Sequence, residues 1–430
     1  MIALENKTVS LLGFGISNRA LCDYLMSRGI YPVVRCKEKC SLPKGIKGIF
    51  TEDYLDTGED IVFRSPAIRP DRIRGNGRIY TELSLALDST SAFKIGVTGS
   101  DGKTTTSTLI HKMLCRGGEN AILGGNIGKA LVAYTSDLRP NDFVVAEMSS
   151  FQLMDYEPCL DVAVITCISP NHLDWHRDMD EYICAKHSIT KNAKRLVLNY
   201  DDDTVRAMGN GRDGVTYFSL NDCTHLISCE DNFVHVVNGV IFYNSTPLFS
   251  ADRVRLRGRF NLQNILSAIG VAYRHVDLEA IVSVAESFTG VEGRMEHIDT
   301  IEGVSFFDSA IDSTPSRTKG TLSAFPPERV ICIMGGYDKN LKYDLLRDTA
   351  KELKLIILCG ENRHKIEKAC HGARIINVNT LSEAVALAKK MARAGDFVIL
   401  SPASASFDMF KNYKEKSEKF KEAIRGLKNG

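Results

Sequence analysis

The sequence predicts an α/β protein of three domains, each centred on its own sheet, and three observations predict it. Apolar strand-like runs alternate with helix-like stretches along the whole chain, the pattern of parallel strands covered on both faces. Glycine-punctuated turns follow two of those runs, at Gly13-Phe14-Gly15 and at Gly99-Ser100-Asp101-Gly102. At 430 residues, the chain is also long enough for several cores, while 44% hydrophobic and 25% charged residues are ordinary globular values.

The first block, residues 1–90, opens with the apolar run Val9 to Leu12, a helix-like stretch to Arg28 and a second apolar strand from Tyr31 to Val34. That is the β-α-β start of a Rossmann-like nucleotide-binding domain. Its glycine fingerprint is incomplete, because Asn18 takes the place of the third glycine of G-x-G-x-x-G. Arg35 stands where an acidic residue would take a ribose hydroxyl, which argues against plain NAD binding. Arg35 and Lys37 suit a phosphate or a polar head group instead. A second loop, Arg64 to Pro70, follows strand Ile61-Val62-Phe63 and belongs at the same ligand-binding sheet edge.

The middle block, residues 91–290, carries the strongest signal. The apolar run Ile95 to Val97 leads into Thr98-Gly99-Ser100-Asp101-Gly102-Lys103-Thr104-Thr105, and a helical pattern follows from about Ser107. Backbone N–H groups of such a turn, with the helix N-terminus behind it, cradle a polyphosphate. Lys103 can reach β- and γ-phosphates, and the Thr104 hydroxyl can ligate Mg²⁺. The spacing is tighter than G-x-x-x-x-G-K-[ST], but the reading is a nucleoside triphosphate site of P-loop ATPase type. Two further strands, Phe143 to Glu147 and Val162 to Ser169, continue a mostly parallel sheet. Short alternating runs around Asn238-Gly239 predict a small antiparallel part, followed by a helix from Asn264 to Ala272.

The last block, residues 291–430, repeats the strand–helix alternation with strands Val330 to Met334, Leu355 to Leu358 and Phe397 to Leu400, a second Rossmann-like unit. The stretch Lys411 to Lys428 interleaves Lys with Glu and reads as a solvated helix. A net charge of +1 argues against a general nucleic-acid binder. The sequence has no apolar run of the about 20 residues a membrane span requires, and with the strand-like run Val9 to Leu12 so near its start no basic-then-apolar signal peptide is expected. Twelve cysteines without a C-x-x-C pair read as reduced, and the expectation is a cytoplasmic protein with no membrane partner.

Several polar residues stand where chemistry is expected. Glu147 ends the strand after the phosphate-loop helix, a place for a Mg²⁺-holding carboxylate; a salt-bridged structural glutamate is the alternative. Asn171-His172-Leu173-Asp174-Trp175-His176 offers ligands at spacing two, like a hydrolytic zinc site. No other histidine pair completes a zinc ligand set, so one histidine serving a Mg²⁺-bound triphosphate fits better. Trp175 reads as packing, and Lys186 as an ordinary helical lysine. Asn261 and Asn264 share a helix face and suit recognition of a base, with helix capping by Asn261 as the alternative.

Taken together, the T-G-S-D-G-K-T-T loop, Glu147-Met-Ser-Ser-Phe-Gln152, Asn171-His-Leu-Asp-Trp-His176 and Gly258-Arg-Phe-Asn-Leu-Gln-Asn264 resemble the Mur ligases of peptidoglycan synthesis. So do Gly293-Arg294-Met295-Glu296, Asp308-Ser309 and Ser401-Pro-Ala-Ser-Ala-Ser-Phe-Asp408 with Lys411-Asn412-Tyr413. The last group looks most like the member that joins D-glutamate to UDP-N-acetylmuramoyl-L-alanine. The resemblance implies an ATP-dependent ligase working through an acyl phosphate and a tetrahedral intermediate. It implies the following roles: Lys103 on the triphosphate, within the loop Gly99, Ser100, Asp101, Gly102, Thr104 and Thr105; Thr104 and Glu147 on one Mg²⁺; His172 and Lys186 on a second. The matching lysine is carbamylated in many members, which would make Lys186 an anion. Asn264, Arg294 and Asp308 would contact the nucleotide, and Asn126 and Ser149 the muramoyl substrate. Ile16, Ser17, Cys36 and Lys37 would face the uridine diphosphate; Lys339, Ser406, Phe407 and Tyr413 match positions that hold D-glutamate. A monomer is expected. The chain departs from the family pattern at Asn171, Gly293 and Ala310.

Overall fold

Buried apolar strands dictate three sheets. The computed structural model of the chain describes residues 4–135, 137–173, 175–227, 231–256, 258–338 and 341–428. The first sheet contains β1 (Val9–Leu12), β2 (Val33–Cys36), β3 (Lys47–Phe50), β4 (Ile61–Arg64) and β5 (Arg78–Tyr80), in the order β3-β2-β1-β4-β5. All its neighbours are parallel; Leu11 stands opposite Val34 on one side and Phe63 on the other. β1 and β4 are buried along their whole length, as strands covered on both faces must be.

The second sheet has nine strands: β6 (Phe93–Thr98), β7 (Ala121–Gly125), β8 (Phe143–Glu147), β9 (Cys159–Ile165), β10 (Asn192–Asn199), β11 (Thr216–Phe218), β12 (Asn232–Val237), β13 (Val240–Tyr243) and β14 (Thr246–Ser250). Their order is β14-β13-β12-β11-β10-β9-β6-β8-β7, parallel from β12 to β7 and antiparallel beyond. The antiparallel hairpin turns at Asn238 (φ 49°) and Gly239 (φ 77°), the pair of positive angles such a two-residue turn requires. Connections from β6 and β9 leave in opposite directions, so the crevice for a ligand opens outside their C-terminal ends.

The third sheet contains β15 (Glu296–Ile301), β16 (Val304–Asp308), β17 (Val330–Met334), β18 (Leu355–Leu358), β19 (Ile375–Asn377) and β20 (Phe397–Leu400), in the order β15-β16-β20-β17-β18-β19. Only β15 runs antiparallel. The chain divides into two compact units: Met1–Val254 with Phe260–Ser287, holding the first two sheets, and Arg255–Arg259 with Phe288–Gly430, holding the third. The helix Tyr413–Gly426 differs from the solvated one expected: Lys416, Ser417, Phe420 and Ile424 are buried on one face. No helix among the described residues is long and apolar enough to cross a membrane.

Candidate active site

The candidate phosphate loop, Gly99 to Thr105, is shaped by what surrounds it. Gly99 has φ 148°, and a β-carbon there would lie 1.9 Å from Thr166 Oγ1 at the end of β9. Gly102 has φ 80°, and its β-carbon would lie 2.3 Å from Asn264 Oδ1. Only glycine fits either place. The helix Lys103–Arg116 begins after Gly102 without a side-chain cap, four residues earlier than the sequence pattern suggests. Its first-turn N–H groups are therefore suited to an anion. Ser100 is fixed from both sides: its N–H donates to Cys167 O at 2.7 Å, and its Oγ lies 2.8 Å from the Tyr182 hydroxyl. Asn264 accepts a hydrogen bond from Thr106 Oγ1 at 3.2 Å and donates to Asn261 Oδ1 at 3.3 Å. Asn261 thus lies within the helix Arg259–Ala272 rather than capping it.

Two lysines converge on one oxygen. Lys103 Nζ donates to Gly99 O at 2.7 Å and to Ser100 O at 3.0 Å. Lys186 Nζ, on the helix Met179–His187, donates to the same Gly99 O at 2.7 Å and to Thr98 Oγ1 at 3.3 Å. Lys186 is only 1% exposed and makes no ion pair with a carboxylate among the described residues. Burial, and then the neighbouring Lys103 charge, push its pKa well below the usual lysine value. It is not the ordinary solvated lysine that sequence alone suggests.

Beside it, the parallel register of β6 and β8 sets Val97 opposite Glu147. Glu147 is buried, and its Oε1 accepts from Asn126 Nδ2 at 2.8 Å. Its Oε2 is buried without a hydrogen-bond partner among the described residues. A buried, unsatisfied carboxylate oxygen beside a phosphate loop fits a divalent cation that takes few protein oxygens and completes its shell from phosphates. Thr104, in the first helical turn, is also buried. Ser149 caps the short helix Ser150–Leu153 by accepting the Gln152 N–H.

His172 has φ 55°, an uncommon angle for a non-glycine residue, and its carbonyl accepts the N–H groups of Trp175 (3.0 Å) and His176 (2.9 Å). Its ring meets Phe151 edge-on at 5.0 Å. His176 turns elsewhere: its Nε2 lies 2.9 Å from Ser150 Oγ, its Nδ1 3.4 Å from Glu181, and burial lowers its pKa. Among the described residues there is no group of three His, Cys, Asp or Glu that could hold a metal. Asp174 lies outside the described residues.

At the edge of the first sheet, Ile16 is 79% exposed at the start of the helix Ile16–Ser27, with Ser17 next to it. Cys36 ends β2 as a thiol whose pKa burial pushes up to about 11. Lys37 pairs with Glu52 at 3.0 Å in the open. Arg35 is not available to a phosphate: Glu59 takes its guanidinium through two contacts (2.9 and 3.2 Å) and Asp56 O takes a third.

In the second unit, Arg294 sits in a tight turn between Gly293 (φ 69°) and Met295 (φ 48°). Asp308 is buried, accepts hydrogen bonds from Ser417 Oγ and the Ala310 N–H, and has its pKa pushed up to about 6 by burial. Ser406 is buried with its Oγ unpartnered among the described residues, and the adjacent Phe407 is 61% exposed. Tyr413 opens the C-terminal helix. Lys339 lies outside the described residues. Glu181 and Thr166, which border the candidate site, carry no motif of their own, and Arg69 stands in the sequence only as part of the loop Arg64 to Pro70; their contacts here are distant in sequence.

Comparisons with known proteins agree on this architecture. Residues 97–272 match the family model of the Mur ligase middle domain, and residues 293–404 that of the Mur ligase glutamate ligase domain. The chain is 37% identical to UDP-N-acetylmuramoylalanine–D-glutamate ligase of Ruminiclostridium cellulolyticum, over 99% of this chain and 98% of the relative. It is 38% identical to the protein of the same name from Acetivibrio thermocellus, over 99% and 97%. Among solved structures, its fold is similar to that of the UDP-N-acetylmuramate-alanine ligase of Thermotoga maritima, with a TM-score of 0.61, 17% identity and coverage of 98% and 100%. It is also similar to a pseudomurein peptide ligase type C from Methanothermus fervidus, with a TM-score of 0.59, 20% identity and coverage of 98% and 100%.

Proposed function

Because this chain belongs to the Mur ligase family, we propose that it is an ATP-dependent ligase joining D-glutamate to UDP-N-acetylmuramoyl-L-alanine in peptidoglycan precursor synthesis. The observation that carries the chemical part is the convergence of Lys103 and Lys186 on Gly99 O beside the orphaned Glu147 Oε2. Lys103 and the N–H groups of the loop Gly99–Thr105 hold the triphosphate and draw charge from the γ-phosphoryl group. The substrate carboxylate attacks the γ-phosphorus, ADP leaves, and an acyl phosphate forms. The amine of D-glutamate adds to its carbonyl carbon; the amine loses a proton, the C–O bond breaks, and inorganic phosphate departs from the tetrahedral intermediate.

Thr104 and Glu147 would hold one Mg²⁺, and His172 with Lys186 a second, which when bound offsets charge on the phosphoryl oxygens. A lysine held toward its neutral form can add carbon dioxide, so a carbamate on Lys186 is the form in which it would serve a cation. Asn126 and Ser149 orient the muramoyl substrate, and Asn264, Arg294 and Asp308 serve the nucleotide. The first block, 1–90, holds the uridine diphosphate through Ile16, Ser17, Cys36 and Lys37. The block 91–290 holds ATP. The block 291–430 selects D-glutamate through Lys339, Ser406, Phe407 and Tyr413. If the substrate carboxylate is labelled with ¹⁸O, one labelled oxygen should appear in the phosphate released; unlabelled phosphate would contradict an acyl phosphate.

A further inference from the structure

The loop that carries His172 is held by a charged brace from the first sheet. Arg69, in the loop after β4, is buried (side chain 8% exposed), and so is its partner Glu181 (6%), on the helix that carries Lys186. The guanidinium meets both carboxylate oxygens of Glu181, at 2.9 and 3.0 Å, and also donates to Trp175 O at 2.7 Å. Asp71 takes its remaining edge at 2.8 Å. The same guanidinium lies 5.0 Å from the Trp175 ring centroid, and the indole N–H donates back to Ala67 O at 2.9 Å. Glu181 in turn accepts the Arg177 N–H at 2.9 Å and Arg177 Nε at 2.6 Å. One arginine and one glutamate thereby tie residues 67–71, the turn 172–177 and the helix of Lys186 into a single bidentate network.

Joining the two sheets does not need this network. Arg64, at the end of β4, already reaches across: its Nε donates to Asp155 at 2.9 Å and its Nη2 to Phe151 O at 2.7 Å. What Arg69 adds is a hold on the turn at 172–177 through Trp175 O and on the helix of Lys186 through Glu181. We propose that Arg69 is a positioning residue of the reaction: through Glu181 and Trp175 it holds the 172–177 turn, and with it His172, in place. The inference rests on the role given to His172 under the proposed function.

The test uses Arg69→Ala in the full-length protein. D-Glutamate-dependent phosphate release should fall about 10–100-fold, as when the outer support of a metal ligand is lost. The KM for ATP should change by less than about twofold, because the hydrogen bonds of Arg69 go to Asp71, Trp175 and Glu181 and none to the phosphate loop. Mn²⁺ binding, followed by electron paramagnetic resonance without turnover, should weaken in parallel. Trp175 is the only tryptophan, so its emission reports the turn directly and should shift to the red. Ethylguanidinium should restore part of the activity, since a cavity of about 220 Å³ bordered by Tyr54, Leu55, Arg72 and Trp175 reaches the Arg69 position. Should the alanine variant fail to fold, Arg69→Met with Glu181→Gln removes both buried charges together and leaves neither unpaired, with the same readouts expected. Unchanged Mn²⁺ affinity and Trp175 emission, or activity lost only in proportion to the unfolded fraction, would overturn the proposal. Wild-type protein silent toward D-glutamate would sink the ligase reading instead, while emission and Mn²⁺ binding would still decide the brace.

Discussion

A lysine with 1% of its surface exposed, sharing a carbonyl oxygen with a second lysine, is pressed toward its neutral form by burial first and then by the charge of Lys103. Lys186→Ala should lower kcat by about 100-fold or more, and a short-chain carboxylic acid should restore part of it by standing in for a carbamate. Full activity without the acid, or no rescue with it, would argue against that role. A second buried group has a consequence for stability. Glu82 is buried at the start of the helix Glu82–Ser89, accepts the Val132 N–H at 2.8 Å, and has its pKa raised by burial to about 7. The folded protein therefore binds more protons than the unfolded chain between about pH 4.5 and 7, and stability falls as pH rises through that window. Glu82→Gln should flatten this fall and stabilise the protein at pH 8 by as much as about 3 kcal/mol. Urea unfolding at pH 5 and pH 8 measures it; an unchanged pH dependence would show that Glu82 is not the group responsible.

At the scale of elements, the phosphate loop depends on the end of β9. Gly99→Ala would press a methyl group onto Thr166 Oγ1 at a backbone angle that alanine resists. Strain of about 1–3 kcal/mol should appear as roughly 10–100-fold weaker ATP binding, with uridine-substrate binding little changed. Equal loss of both ligands in calorimetric titrations would mean general unfolding instead. Much of this level was legible in the sequence. The strands Val9–Leu12, Val330–Met334, Leu355–Leu358 and Phe397–Leu400 lie where their apolar runs place them. The edge strands Lys47–Phe50, Arg78–Tyr80 and Glu296–Ile301 escaped notice because they are half-exposed and carry charges that edges favour. The phosphate helix starts at Lys103 and not near Ser107, since Lys-Thr-Thr-Thr has no apolar period to announce it. The buried face of the C-terminal helix was hidden for a related reason: Lys416 donates to Gly335 O at 2.7 Å from inside the fold, yet reads as one more surface lysine.

Across the whole molecule, three sheets in chain order carry motifs whose spacing is local, so the loop Gly99–Thr105, Glu147 and the turn at His172 stand out in the sequence as candidates. What could not be read were the long-range pairings. Arg69 and Glu181 are 112 residues apart, Thr106 and Asn264 158 apart, and neither pair has a local signature. In the proposed function all three sheets serve a single reaction with a chosen amino acid. It is tested most directly by phosphate release from ATP with UDP-N-acetylmuramoyl-L-alanine, comparing D-glutamate, L-glutamate, D-aspartate and L-lysine. Release with D-glutamate alone is expected; release with another of the four in its place, or with none, would contradict the proposed function.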